Sequence, residues 1–212
     1  MDTAAIPNIA DTTRKAYLAL GDSYTVGSAV SATESFPLQT TQLLKQQSIN
    51  IGTPEIFAVN GWTTLDLLNA LNLNPPQNNY SIVTLLIGVN NQYQGRSLDE
   101  YKTEFTDLLN RSILYAGNNK EHVIVLSIPD YSVTPFANGR DTDEIVKEID
   151  DFNAANKTIA LNAGIHYLDI TSISREAKND PSLIAIDGLH PSGSQYKKWS
   201  ELLAPVILQA IK

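Results

Sequence analysis

The stretch Ala16-Tyr17-Leu18-Ala19-Leu20-Gly21-Asp22-Ser23-Tyr24 decides how the rest of the chain is read. Its five apolar residues are too few for a helix and lack a polar face, which suits a strand buried on both sides, and Gly21-Asp22 then turns the chain into a loop. Four more short runs, at 55–59, 81–87, 122–128 and 166–170, have the same character. Segments with apolar residues at helical spacing separate them, at 36–47, 63–71, 98–115 and 143–163, and a last one covers 194–211. Thr63-Thr64-Leu65-Asp66 and Ser97-Leu98-Asp99-Glu100 read as capping patterns at two helix starts. This alternation predicts an α/β fold, a five-stranded parallel sheet with helices on both faces. A length of 212 residues favours one domain, 1–212, with a short N-terminal extension at 1–14.

Ligands of an open parallel sheet bind beyond the carboxyl ends of its strands. Three polar motifs fall there: Gly21-Asp22-Ser23 after the first run, Asn60-Gly61 after the second and Gly88-Val89-Asn90 after the third. A serine in such a turn is commonly a helix cap, but Ser23 has possible partners downstream in Asp187-Gly188-Leu189-His190-Pro191. Residues three apart in a turn can share a face, which lets the Asp187 carboxylate hold His190 Nδ1 while Nε2 points at Ser23. Pro191 restrains the backbone just after the imidazole. Ser23, His190 and Asp187 thus supply nucleophile, base and orienter.

Four blocks in order, Gly21-Asp22-Ser23-Tyr24, Asn60-Gly61, Gly88-Val89-Asn90-Asn91 and Asp187-Gly188-Leu189-His190, resemble those of the SGNH or GDSL-type serine esterases and lipases. The resemblance runs from Ala19 to Pro191 and implies a flavodoxin-like three-layer α/β/α sandwich. It also implies an oxyanion hole made by the Ser23 and Gly61 amides and the Asn90 side chain. Donors of this kind are worth roughly 3 kcal/mol each toward a transition state. Two positions depart from the family pattern: Tyr24 stands where leucine is frequent, and Asn91 where many members have aspartate.

Fifteen Lys and Arg against 23 Asp and Glu give a formal charge of −8, which disfavours nucleic acid and anionic membrane surfaces as partners. Zero cysteines exclude disulfides, a thiolate nucleophile and thiolate-bound metals, and the three histidines (His122, His166, His190) are too dispersed for a histidine-rich metal site. The expectation is therefore no cofactor and no metal. No run approaches the roughly 18 apolar residues of a membrane span, and Met1 to Pro7 lacks the basic flank and apolar core of a signal peptide. A soluble protein is expected, either cytoplasmic or exported with its leader removed.

The remaining candidates carry two readings each. Trp62 lines a pocket or anchors packing. Tyr131, Val133 and Phe136, in the loop after the fourth run, contact an acyl group or belong to a packed surface loop. Asp22 is expected to bond turn amides, His122 and His166 to be structural or exposed at strand starts, and Trp199 to be core. The functional expectation is a carboxylic-ester hydrolase working through an acyl-enzyme on short-chain or acetylated soluble esters, or otherwise a carbohydrate or lipid ester. An acyltransferase with the same machinery, a lysophospholipase-type esterase and a non-catalytic binding module are the alternatives.

Overall fold

In the computed structural model, residues 14–77 and 79–211 are described. The elements run β1 (Tyr17–Gly21), α1 (Ser23–Val26), α2 (Phe36–Gln46), β2 (Glu55–Ala58), α3 (Thr64–Leu73), β3 (Ile82–Leu86), α4 (Val89–Tyr93) and α5 (Leu98–Tyr115). They continue with β4 (Val123–Leu126), α6 (Thr142–Asn162), β5 (His166–Leu168), α7 (Thr171–Arg175) and α8 (Gly193–Ala210). All strand pairs are parallel, in the order β2-β1-β3-β4-β5. This is the flavodoxin-like order, and its switch point lies between β1 and β3.

Strands β1, β3 and β4 are buried along their whole length, as continuous apolar runs with both faces covered must be. β2 and β5, at the sheet edges, are only partly covered. Helices α2 and α8 pack together through Phe36, Tyr196 and Trp199, with the Tyr196 and Trp199 rings 5.1 Å apart and nearly perpendicular. Tyr101 of α5 meets Phe152 of α6 at 4.6 Å. Trp199 is fully buried, as expected of a core residue.

The five strands and five long helices fall within a few residues of their predicted positions. The three short helices were not predicted, because four or five residues are too few to show a helical period. Each directly follows a strand, β1, β3 or β5, so each begins at the carboxyl edge of the sheet. β4 stops before Ser127 and Ile128 because a side chain takes over the backbone groups of Ile128: Asn153 of α6 accepts from its N–H at 2.7 Å and donates to its carbonyl at 3.0 Å. His122 does not open β4; it closes a one-turn 3-10 segment capped by Asn119. The signal-peptide reading and the extension at 1–14 lie outside the described residues, save for Arg14.

Candidate active site

Asp22 follows β1 in extended conformation and caps α1, its Oδ1 accepting from the Tyr24 N–H at 3.0 Å. Ser23 is thereby the first residue of the helix rather than its cap, with its side chain at the carboxyl edge of the sheet. Its Oγ lies 2.9 Å from His190 Nε2, and His190 Nδ1 lies 2.5 Å from Asp187 Oδ2. Three side chains separated by up to 167 positions thus form one hydrogen-bonded row.

The loop that carries His190 is fixed by its own backbone. The Ala185 N–H donates to the His190 carbonyl at 2.7 Å, the Ser192 N–H donates to the Leu183 carbonyl at 2.8 Å, and Ile184 and Pro191 form an antiparallel bridge. Gly188 turns the loop at φ +73°, and a Cβ there would lie 3.3 Å from Pro135 Cβ, so both conformation and space call for glycine. Within the turn Asp187 Oδ1 accepts from the N–H groups of Leu189 and His190, each at 3.0 Å. Partial burial raises the Asp187 pKa, but the His190 ring and these two amides outweigh it and hold the carboxyl below its ordinary value. Tyr24, at the unusual fourth position of its block, sets its ring 5.2 Å from the imidazole and covers it.

Gly88 starts α4 at φ +132°, where a Cβ would collide with Tyr101 and Ile128, so the helix begins hard against the end of β3 and places Asn90 in its first turn. Asn90 Nδ2 donates to the Trp62 carbonyl at 3.0 Å. That bond fixes the amide plane and leaves the second N–H for the pocket. Gly61 stands in the exposed turn after β2, and the Ser23 N–H belongs to the first turn of α1, whose donors have no intrahelical acceptor.

Ser23, Tyr24, Val89, Asn90 and His190 open onto a pocket of about 90 Å³ whose far side is Tyr93, Tyr131, Phe136 and Leu189. Tyr131 and Phe136, singled out in the sequence, are in this wall. Val133 is not: it turns into a separate groove with Asn138, Val146 and Ile184. Trp62 is not in the wall either, its ring packing on Phe57 at 6.0 Å, so it contributes a carbonyl to orient Asn90 and no pocket surface. Tyr93 and Leu189 carried no sequence signal, since the first sits in a short helix and the second inside the loop of Asp187 and His190. His166 bonds Glu121 on the surface, and burial, then the nearby Lys15, lowers the His122 pKa. Neither belongs to the site. Among the described residues no cluster of His, Asp and Glu could hold a metal ion.

The family model of GDSL-like lipases and acylhydrolases matches residues 19–198. The chain belongs to that family. Among solved structures, the GDSL-family fold is shared with TesA (TM-score 0.72, 14% identity, 92% of this chain and 99% of the other). It is shared also with the psychrotrophic esterase EstA from Pseudoalteromonas sp. (0.66, 18%, 93% and 96%). The acetylxylan esterase Axe2 from Geobacillus stearothermophilus is similar to the same degree (0.67, 21%, 93% and 94%). No curated protein sequence matches the chain.

Asn91, where many GDSL-type proteins have aspartate, is fully buried. Its Oδ1 accepts from the Thr64 N–H at 3.0 Å and its Nδ2 donates to Thr64 Oγ1 at 2.6 Å, while that hydroxyl in turn donates to Glu104. An aspartate would offer no donor to Thr64 Oγ1 and would compete with Glu104 for its proton. Asn91 therefore ties α4 to the start of α3. Asn90→Ala is expected to lower kcat about 100-fold with little change in KM. Asn91→Ala should spare kcat by comparison and lower the unfolding midpoint, since it leaves the buried Thr64 N–H without its acceptor. Steady-state kinetics and calorimetry on the pair check this, and reversed severities would contradict the part expected of Asn90.

Asp22 is fully buried and its Oδ2 has no partner among the described residues. Desolvation pushes its pKa up to about 7, against a smaller opposing effect of the Tyr24 N–H. A carboxyl whose folded pKa is raised stabilises the fold least when ionised, so stability is lost as pH rises from about 4 to about 7. Asp22→Asn keeps the capping oxygen and cannot ionise. It should raise the unfolding midpoint at pH 8, by up to a few kcal/mol of stability, and lose that advantage near pH 4. A midpoint difference that does not vary with pH would contradict the raised pKa.

Proposed function

We propose that the chain is a carboxylic-ester hydrolase that works through an acyl-enzyme on Ser23. The observation that carries the reading is the row Asp187–His190–Ser23, with both imidazole nitrogens engaged in the order that base catalysis requires. His190 Nε2 takes the Ser23 proton as Oγ attacks the ester carbonyl. The oxyanion formed is met by the Ser23 and Gly61 N–H groups and the Asn90 amide. His190 then protonates the leaving alcohol, and a water activated by the same imidazole releases the acid.

Short acyl groups suit the pocket. Its volume of about 90 Å³ is smaller than a cavity of about 150 Å³ that admits benzene, and its far side is aromatic. Membership of an esterase and lipase family, and the fold shared with an acetylxylan esterase, support acetylated or short-chain esters as substrates. The test is a series of p-nitrophenyl esters from acetate to decanoate, followed by acetylated saccharides. Highest kcat/KM at acetate to butyrate is expected, unaffected by EDTA because every group in the chemistry proposed belongs to the polypeptide. Release of ester product instead of acid when a simple alcohol is added would favour the transferase alternative.

A further inference from the structure

Arg96, Arg111 and Arg175 each pair with an Asp or Glu, whereas Arg140 pairs with none among the described residues. Its guanidinium instead lies 4.8 Å from the centre of the Tyr93 ring and 5.1 Å from that of Phe136, and its Nη2 donates to the Tyr93 hydroxyl at 2.9 Å. Cation–π contact of this kind is worth most where the rings are partly desolvated. Both rings line the pocket at Ser23, yet Arg140 does not, so it grips them from outside.

The two rings come from different elements. Tyr93 ends α4, the helix that holds Asn90, while Phe136 sits in the 3-10 turn Pro135–Ala137. The Phe136 N–H donates to the Gly188 carbonyl at 3.0 Å, which ties this turn to the loop of Asp187 and His190. Tyr93 and Phe136 touch each other at 5.7 Å and each touches Tyr131, at 6.3 and 6.0 Å. They are nevertheless the exposed members of the trio, 44% and 38% accessible against 3% for Tyr131. Two half-exposed aromatic rings at a pocket rim would ordinarily swing apart to admit a longer group. Here one planar fork joins them.

We propose that Arg140 is a specificity-determining residue: it straps Tyr93 to Phe136 and so closes the far end of the acyl pocket, limiting the acyl chain. This rests on the esterase reading above. Without the strap the rings part, and additional methylenes of a longer chain gain apolar surface to bury. Lysine cannot replace it, because an ammonium lacks the planar fork that spans two rings and a hydroxyl together.

The experiment compares wild type, Arg140→Ala, Arg140→Lys and Tyr93→Phe in two assays. The first is kcat/KM for p-nitrophenyl octanoate relative to acetate. The second is the rate at which Ser23 is labelled by p-nitrophenyl phosphonates bearing a methyl or an octyl group on phosphorus, where Ser23 Oγ bonds to phosphorus, p-nitrophenolate leaves and the serine proton passes to His190. Arg140→Ala should raise the octyl-to-short ratio roughly tenfold in both assays, Arg140→Lys nearly as much, and Tyr93→Phe by a smaller factor. A ratio unchanged in folded Arg140→Ala, or an equal fall at every chain length, overturns the strap while leaving the esterase reading intact. Failure of every phosphonate to label Ser23 in the wild type overturns the esterase reading and the strap with it.

Discussion

Ser23→Ala is expected to lower kcat for p-nitrophenyl acetate by about 10⁵-fold in a protein that stays folded. The hydroxyl is the only side-chain oxygen in hydrogen-bond contact with His190 Nε2 among the described residues, so its loss leaves the base facing the pocket with no nucleophile to deprotonate. The cost to the fold is small. Ser23 lies at the first position of α1, and the bonds that form that helix start, from Tyr24 to the Asp22 side chain and from Thr25 and Val26 to the Asp22 carbonyl, do not use its hydroxyl. Circular dichroism and a thermal scan alongside the kinetics separate loss of chemistry from loss of structure. Residual turnover above about 1% of wild type in the folded variant would remove Ser23 from the role of nucleophile.

Asp187→Asn is expected to cost about 10³- to 10⁴-fold in kcat and to be at least as damaging as Asp187→Ala. The reason is specific to this loop. The N–H groups of Leu189 and His190 both point at Oδ1, so an asparagine must keep its carbonyl oxygen there and place its NH₂ where Oδ2 was. That amide would then donate to His190 Nδ1 and force the proton onto Nε2, the nitrogen that has to accept from Ser23. Alanine removes the orienter without imposing the wrong tautomer. Pre-steady-state release of p-nitrophenol should show the acylation step slowed in both variants. Should Asp187→Asn retain far more activity than Asp187→Ala, the turn does not fix the amide in this orientation.

The strand pattern and the four motif blocks lie in local sequence, because a buried parallel strand is a short apolar run and a strand-end loop is marked by Gly, Asp and Asn. Residues 17–20 and 82–86 therefore disclosed the centre of the sheet, and Ser23, Asp187 and His190 stood out by type and spacing. Asp187 and His190 were the easiest case, since one turn contains both. What the sequence could not contain was the meeting of that turn with Ser23, which depends on β1 and β3 lying side by side and on α8 returning the chain to the same edge.

The pocket was decided by tertiary structure almost entirely. Val133 and Phe136 stand three residues apart in one loop, yet only Phe136 faces Ser23, because the 3-10 turn Pro135–Ala137 redirects the chain between them. Trp62 sits beside a motif glycine and still packs away on Phe57. Tyr93 and Arg140 had no local signal at all, being 47 residues apart and joined only through a hydroxyl and a ring face. Sequence by itself determined the family and the alternation of strands and helices, since both are carried by residue type and short spacing. Only the folded structure decided the shape and size of the space around Ser23, because loops from β1, β3 and β4 and from the segment before α8 each contribute one wall to it.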